Sequence, residues 1–447
     1  MVLARTLAEA TGALHPDVPL LGNSPQFVDF SEVRGDGTVK RLKKLFERQR
    51  PGAWLHTVFA SHRGAGKSTE LLRLTGELQD RYFCIYFEAN VEMDPVEFEL
   101  SDLLLVLARE VESQMRSRGT PLPAATLMQV EKFFSEVVFT DEYGRTYVAD
   151  IESQAKLSGG IPFFASLMSN LTASVKRAGE HTETIRRQVQ RFPGTLIELV
   201  NNLLKEALAI LATDSRRLLI VIDNMDRYDS KFIDRLLVAS LDVFRSLCCD
   251  LVLTPPIDLL LKPESQGLDT VLQCIVMPTI KLREPDQGYW EISGKGHEKL
   301  LEVLAKRIDL ERLIPDIAVR HRLVSASGGG IRELLSLAQS ATLDAAGETI
   351  TADDLEVTLS RQQHILRNKA DYNGWWPALQ QIAKTKRLTN VPEQQAVVFQ
   401  RLAFQYNGKI WHDVHPLISD LPEIQDTLTA GTATAKENRA TTGGGTA

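Results

Sequence analysis

Residues 54–73 have the sequence Trp54-Leu-His-Thr-Val-Phe-Ala-Ser-His-Arg-Gly-Ala-Gly-Lys67-Ser68-Thr-Glu-Leu-Leu-Arg73, and this stretch decides the fold. Its apolar, β-rich beginning predicts a strand, its glycines predict a turn, and the leucines after Ser68 predict a helix. In such a strand, turn and helix, the backbone N–H groups of the turn and of the helix N-terminus point at one spot. This spot combines unpaired donors with the positive end of a helix dipole, so it is suited to a polyphosphate.

The turn follows the phosphate-loop pattern G-x-x-x-x-G-K-[ST] except at its first glycine, which is Ser61 in this chain. A small residue can still form this turn, so we interpret the loop as a variant. Lys67 is expected to place its ammonium on the β- and γ-phosphates of a nucleotide, and Ser68 its hydroxyl on Mg²⁺. The nucleotide-binding residues predicted here are Arg63, Gly64, Ala65, Gly66, Lys67, Ser68 and Thr69.

Composition limits the class of protein. A chain of 447 residues is long for a single core, so we expect two or three domains. The formal net charge of −7 argues against a chain that coats nucleic acid, although it leaves room for a local basic face. The four cysteines lack metal-ligand spacing, which predicts buried reduced thiols in a cytoplasmic protein. We expect no signal peptide and no membrane span, because no apolar run approaches about 20 residues.

Further apolar segments predict the other strands of a parallel α/β sheet. Residues 82–88, 218–223 and 250–254 are such segments, and helical patterns separate them. The segment 274–282 contains Pro278, so we expect it at an edge of the sheet. In sheets of this kind, ligands bind at the carboxyl ends of the strands.

Polar residues follow two of these strands. Asp223 ends an apolar strand and is expected to hold Mg²⁺, directly or through water, beside Ser68. Asp226 is expected to accept a proton from the attacking water or to orient it. Thr254 ends the next strand and is expected to contact the γ-phosphate or this water, although the ordinary polarity of a strand end explains it equally well.

After residue 293 the pattern becomes helical. Arg332 falls in the first turn of a helix that follows three glycines, where a cation opposes the helix dipole. A phosphate that this arginine meets would explain its position, and a solvated arginine is the alternative. The expected units are an N-terminal arm at 1–26, an α/β core at 27–293 with a mostly helical insertion at 119–194, a helical lid at 294–362, a small winged-helix-like domain at 363–421 and a disordered tail at 422–447.

Two surfaces have open interpretations. The apolar patch at 161–168 within the insertion is expected to pack on the body of the protein, with a partner surface or a membrane contact as alternatives. Near the C-terminus, Asn407-Gly408 predicts a hairpin turn. Basic residues around this turn make a DNA-facing role conceivable, and they are Lys384, Lys386, Arg387, Arg401 and Lys409. His412 and His415 are interpreted as polar residues at the end of the hairpin.

With these features together, the chain resembles P-loop ATPases of the AAA+ and STAND group. The resemblance rests on residues 63–71, on residues 222–227 and on residues 327–335. The second stretch is similar to the D-x-x-D form of STAND proteins, and the third is similar to the sensor-2 motif of AAA+ lids. The segment 406–416 resembles the winged-helix tail of bacterial ATPases of this type.

The resemblance implies an ASCE/AAA+-like core that binds ATP and Mg²⁺. It also implies that Val33 and Arg34 lie where such proteins close a loop over the adenine. Ser61 and Asn224 depart from the pattern, and Asn224, directly after Asp223, implies slow hydrolysis. No residue stands out as an arginine finger among Arg227, Arg245 and Arg283.

Three functions remain open at this stage. The leading hypothesis is an ATP-driven switch that controls its own assembly or a separately encoded effector protein, with bacterial antiphage defence as the setting that the resemblance implies. The second is a DNA-binding AAA+ ATPase, similar to initiator or transposition ATPases, that uses residues 384–409. The third is a scaffold that holds ATP without turnover.

Overall fold

Five apolar segments form one parallel sheet in the computed structural model. The strands are β1 (His56–Ser61), β2 (Tyr82–Glu88), β3 (Arg217–Asp223), β4 (Asp250–Leu253) and β5 (Gln273–Met277). Their order in the sheet is β2-β3-β4-β1-β5. The predicted α/β class and the edge position of β5 are therefore confirmed, although β5 is shorter than the predicted segment.

The structure describes residues 3–17, 20–21, 24–34, 38–50, 52–139, 142–157, 163–176, 187, 191–261, 266–291, 294–389, 391–406 and 411–428. The predicted turn Asn407-Gly408, the basic residue Lys409 and residues 429–447 of the predicted tail lie outside these ranges. Residues 422–428 of that tail are described, and Ile424 is fully buried in the core, so the prediction of a disordered tail from residue 422 is wrong for this part. The beginning of the apolar patch, residues 161–162, also lies outside them.

The register of the sheet brings polar strand ends to one edge. Glu88 of β2 lies opposite Asp223 of β3, and Ile222 lies opposite Leu253 of β4. Thr254 directly follows Leu253, so it comes level with Asp223 at the carboxyl edge of the sheet. Because all the strands are parallel, this edge also carries the turn that follows β1.

Helices cover both faces of the sheet. Val39–Glu47 precedes β1, Lys67–Glu77 follows it, and Ala89–Glu92 and Leu100–Ser117 follow β2. Pro193–Ala212 leads into β3, and Gln266–Val271 leads into β5. The helices Ser230–Ala239 and Leu241–Ser246 lie between β3 and β4, and Ser240 separates them with a non-helical backbone. Short 3₁₀ turns lie at Met225–Arg227 and Ile257–Leu261.

The region between β2 and β3 adds further helices. They are Ala124–Lys132, the π-helix Phe133–Val138, Glu142–Leu157 and Phe163–Lys176. Phe164, Leu167 and Met168 are buried in the same core cluster as Leu104 of the helix after β2. The described part of the apolar patch therefore packs in the core, as expected.

The C-terminal part of the chain is largely helical. Its first helices are Gly294–Ala305, Leu310–Leu313, Ile317–Ala326, Ile331–Asp344 and Ala352–Asn373. The helices Trp376–Thr385 and Pro392–Phe399, the antiparallel pair β6 (Ala403–Tyr406) and β7 (Trp411–Val414), and the helix Pro416–Ser419 follow. We call residues 376–419 the C-terminal unit.

The N-terminal segment lies against these helices. Thr6 and Glu9 form a capping box at the start of its helix Leu7–Ala13. The Thr11 hydroxyl lies 2.7 Å from that of Thr342, and Ala4 forms a parallel bridge with Ile308. The segment expected as an arm is thus docked along the helical part of the chain.

Two basic residues expected to face DNA are engaged inside the protein. The Lys386 ammonium lies 2.7 Å from the fully buried Asp413 carboxylate, which Arg283 also contacts. Arg401 lies 3.2 Å from Glu333. Lys386 and Arg401 therefore form ion pairs within the protein, which neutralise part of the positive charge expected to face DNA. Lys384 and Arg387 are exposed.

Within the described ranges, no helix combines the length and the apolar character that crossing a membrane requires.

Gly329 allows the helical part to approach the sheet. Its φ is +88°, and a Cβ atom at this position would overlap the carbonyl oxygen of Ile280, just after β5. We expect Gly329→Ala to destabilise the protein by roughly 2–3 kcal/mol, since strain and a backbone clash add together. Thermal unfolding measures this change, and Gly347→Ala, at a position with no heavy atom within 4 Å of the added Cβ, is the control. Equal melting temperatures for the two variants would contradict the prediction.

Candidate functional site

A cleft lies at the carboxyl edge of the sheet. The walls come from the turn after β1, the N-terminal segment, the tips of β2 and β3, and the helix Ile331–Asp344. Six cationic and four acidic residues line it, so its balance is basic: Arg34, Arg63, Lys67, Arg227, Arg307 and Arg332 against Asp17, Glu70, Glu88 and Asp226.

The phosphate loop, residues 61–68, opens the helix Lys67–Glu77 at the floor of this cleft. Gly64 and Gly66 have φ angles of +80° and +92°, which side-chain-bearing residues rarely adopt. The N-cap is Gly66, and no side chain caps the first N–H groups of the helix. These donors and the helix dipole are the features of an anion site.

Lys67 and Asp226 form an ion pair inside the cleft. The Nζ–Oδ2 distance is 2.5 Å, and the two side chains are only 5% and 7% exposed. The 3₁₀ turn Met225–Arg227 positions Asp226, and Asn224 before it has a left-handed φ of 60°. Arg63 also donates to the backbone oxygen of Asp226, at 2.5 Å. Two contacts therefore join the phosphate loop to the turn after β3, one to the Asp226 side chain and one to the Asp226 backbone.

Asp223 is fully buried beside the loop and accepts several hydrogen bonds. Tyr86 donates to Oδ2 at 2.6 Å, Thr254 donates to Oδ1 at 3.0 Å, and the backbone N–H of Asn224 donates to Oδ1 at 2.7 Å. Burial alone would raise the pKa of Asp223. The charge of Lys67 and the hydrogen bonds from Ser68 and Tyr86 outweigh burial and lower this pKa below its usual value. The carboxylate thus stays ionised beside the Ser68 hydroxyl.

Thr254 has a different place from the one expected. Its side chain is fully buried, and its hydroxyl donates to Asp223 and lies 3.3 Å from the backbone oxygen of Ile222. The described lining of the cleft does not include it. Thr254 therefore positions the Asp223 carboxylate.

Two residues of β2 belong to the site but were not identified from the sequence. Tyr86 donates to Asp223, and Glu88 accepts a hydrogen bond from the Asn224 amide at 2.6 Å. Glu88 is also part of the cleft wall. Its position as the charged last residue of an apolar strand is the same signal that identified Asp223.

Arg34 lies under the phosphate loop. It donates to the Ala65 carbonyl and to Glu70 Oε1, the latter at 3.2 Å, and its guanidinium faces the Phe30 ring. Burial lowers the pKa of Arg34 to about 10, which leaves it cationic at neutral pH. Arg34 lines the cleft, whereas Val33 is buried in the core.

The N-terminal segment forms one wall of the cleft, which no local sequence pattern indicated. Pro16, Asp17 and Leu20 line the cleft. The backbone N–H of Leu20 donates to the Thr69 hydroxyl at 3.2 Å. Thr69, expected to bind nucleotide, thus also anchors this segment to the phosphate-loop helix.

Arg332 lies directly beside the phosphate loop. Its backbone N–H donates to the Gly64 carbonyl at 3.0 Å, and a Cβ at Gly64 would overlap the Arg332 side chain. The guanidinium is in the cleft, with its Nε 3.4 Å from an oxygen of Asp17. Of the predicted site residues, the structure therefore brings Lys67, Ser68, Asp223, Asp226 and Arg332 together.

The phosphate loop also contacts the C-terminal unit. His62 Nε2 accepts the backbone N–H of Gln405 at 2.9 Å, and its ring packs edge-on against Phe404. Arg63 lies over the Phe399 ring, 4.5 Å from its centroid. His412 and His415 are buried in the same unit, and no cluster of three or more His, Cys, Asp or Glu residues suited to a metal occurs among the described residues.

No protein-family model and no curated protein matches the chain. Several solved structures are similar to it over nearly its whole length, among them the following three. A Walker-type ATPase of Pyrococcus abyssi is 13% identical, with 93% of this chain and 99% of that chain covered and a TM-score of 0.40. Cdc6p of Pyrobaculum aerophilum is 11% identical, with 94% and 98% covered and a TM-score of 0.36. The ORC1 protein of Aeropyrum pernix, solved in complex with DNA, is 11% identical, with 95% and 97% covered and a TM-score of 0.35.

The buried histidine at the loop predicts a pH effect on stability. Burial lowers the pKa of His62 from 6.5 to about 3, so the folded protein keeps this imidazole neutral where the unfolded chain protonates it. The unfolded state then binds more protons, and stability falls as the pH drops below 6.5, by about 1.4 kcal/mol per pH unit for this residue.

The variant His62→Gln retains an acceptor for the Gln405 N–H. We expect its free energy of unfolding to fall less between pH 6.5 and pH 4.5 than that of the wild-type protein. Denaturant unfolding at several pH values measures this slope. His364→Gln, at an exposed position, should keep the slope of the wild-type protein. An unchanged slope in His62→Gln would show that His62 is not held neutral.

Proposed function

We propose that the chain is an ATP-binding P-loop ATPase that acts as a conformational switch. The observation that carries this proposal is the grouping of Lys67, the Ser68 hydroxyl and the ionised Asp223 at the N-terminus of one helix. A phosphate chain finds backbone donors, a helix dipole and a fixed cation at this position.

The lining of the cleft suits ATP. Apolar side chains of this lining can cover a base, and they are Phe27, Val28, Phe30, Ile331 and Leu335. Lys67 and the N–H groups of the phosphate loop would take the phosphates. Arg332 and Arg227 add positive charge at the same end of the cleft.

Ser68 and Asp223 would hold Mg²⁺. This ion prefers oxygen ligands and commonly binds through one or two carboxylates together with substrate phosphates, so this pair is a sufficient protein contribution. The lowered pKa of Asp223 suits a cation ligand, since the carboxylate is already ionised. When bound, Mg²⁺ neutralises the charge that develops on the phosphates.

Binding of ATP requires Lys67 to change partner. Its buried ammonium is neutralised by Asp226 in this structure, and a polyphosphate would take over this role. Asp226 would then be released at the wall of the cleft, where it can orient a water molecule. This exchange would remove the ion pair that holds the phosphate loop to the turn after β3. The sheet itself would keep its arrangement.

The contacts around the loop supply a route for the switch. His62 and Arg63 touch the C-terminal unit, and Arg332 joins the loop to the helix Ile331–Asp344. We propose that residues 294–362 act as a lid and residues 363–421 as a winged-helix-like domain whose arrangement depends on ATP. The partner would be a second copy of the chain or a separately encoded effector protein, as the antiphage setting would require.

Lys67→Ala tests the ATP site. We expect ATP affinity to fall about 10- to 100-fold, because a charge-assisted contact with the phosphates is lost. Isothermal titration with Mg²⁺ and ATP measures the affinity, and circular dichroism checks the fold. Lys231→Ala, at an exposed position on a neighbouring helix, is the control and should bind as the wild type does. Unchanged affinity in Lys67→Ala would refute the site.

DNA binding is a second candidate function, favoured by the exposed Lys384 and Arg387. The engagement of Lys386 and Arg401 in ion pairs leaves fewer cations for phosphate contacts. We therefore expect no gel shift of duplex DNA at about 50 mM salt, where such contacts are strongest. The assay is run with and without ATP. A shift that weakens as salt rises would favour a DNA-binding ATPase instead.

A further inference from the structure

Three carboxylates converge at the carboxyl edge of the sheet, and their surroundings differ. Asp223 is fully buried, and both of its oxygens accept hydrogen bonds. Asp226 is paired with Lys67 at 2.5 Å. Glu88 is half-buried, lines the cleft and accepts from the neutral Asn224 amide. Of these three carboxylates, Glu88 lines the cleft and has no cation bonded to it in the described contacts.

The position of Glu88 on its strand directs it toward the phosphate end of the cleft. Alternate residues of a strand share one face, so Glu88 and Tyr86 lie on the same side of the sheet. The Tyr86 hydroxyl reaches Asp223 at 2.6 Å, and it also interacts with Ser68. Glu88 is one repeat nearer the carboxyl edge, in register with Asp223.

Asn224 fixes the direction of the Glu88 carboxylate. Its amide nitrogen donates to Glu88 Oε2 at 2.6 Å, while the other carboxylate oxygen has no bond to this amide. The amide cannot accept a proton from water, whereas a carboxylate can. The residue after Asp223 therefore holds a base that is supplied by the neighbouring strand.

We propose that Glu88 is the catalytic base of this site. The inference rests on the proposed ATPase function. A water oxygen bonds to the γ-phosphorus, and the bond from that phosphorus to the β–γ bridging oxygen breaks, so that ADP leaves with the electron pair. Glu88 accepts the proton of the water and later releases it to solvent. Asp226 pairs with Lys67 before ATP binds and orients the water afterwards, and the proton of the water goes to Glu88.

Glu88→Gln tests the role, because the amide keeps an acceptor for Asn224 but takes up no proton. Turnover is measured as phosphate release with Mg²⁺ and ATP, and affinity by isothermal titration. We expect turnover to fall at least about 100-fold with ATP affinity retained. Glu97→Gln, the same change at an exposed position, should match the wild type in both measurements. Glu88→Asp, which retains a carboxylate, should keep more turnover than Glu88→Gln.

The outcomes separate this inference from the proposed function. Wild-type turnover that persists in Glu88→Gln would overturn the role of Glu88 and leave the ATPase in place. A 100-fold loss in Asp226→Asn with none in Glu88→Gln would assign the base to Asp226. A wild-type chain that binds ATP without turnover would overturn both the ATPase and its base, and one that does not bind ATP would overturn the site itself.

Discussion

The ion pair between Lys67 and Asp226 is the constraint on which the site depends. Both groups are almost fully removed from water, so neither can lose its partner without a charge left unpaired in the interior. Breaking a buried pair in this way typically costs about 3–5 kcal/mol. The phosphate loop is therefore held to the turn after β3 unless another anion replaces Asp226. A polyphosphate carries the negative charge that is needed to replace Asp226. The ion pair would therefore hold the loop to this turn only while no such anion occupies the cleft.

The acidic side chains around this pair have different environments, and a different role is proposed for each. The charge of Lys67 and the hydrogen bonds from Ser68 and Tyr86 keep Asp223 ionised despite its burial, as a metal ligand requires. Glu88 has a neutral partner and partial access to the cleft, as a proton acceptor requires. The asparagine that follows Asp223 would be a defect if the base had to lie on β3. It becomes a positioning group once the base is placed on β2.

The contacts of the loop extend well beyond the sheet. His62 is bonded to the backbone of β6, and Arg332 is bonded to the carbonyl of Gly64. A Cβ at Gly64 would overlap the Arg332 side chain, so the helix Ile331–Asp344 lies close against the loop, and a Cβ at Gly329 would overlap the Ile280 carbonyl after β5. The loop thus contacts both the helix Ile331–Asp344 and the C-terminal unit directly. This close packing is the physical basis of the proposed switch.

The sequence by itself determined the parallel sheet, the phosphate loop and Asp223, because each has a local signal: an apolar run, a glycine turn before a helix, or an acid that ends a strand. It also placed Arg332 at a helix start. Only the tertiary structure decided that Thr254 supports Asp223, that Lys386 pairs with Asp413, that Pro16, Asp17 and Leu20 line the cleft, and that Glu88 accepts a hydrogen bond from Asn224. These contacts join residues from 27 to 136 positions apart, or bring separate segments to one wall. Local periodicity carries no information about such distances, whereas the register of a folded sheet and the packing of helices against it fix them.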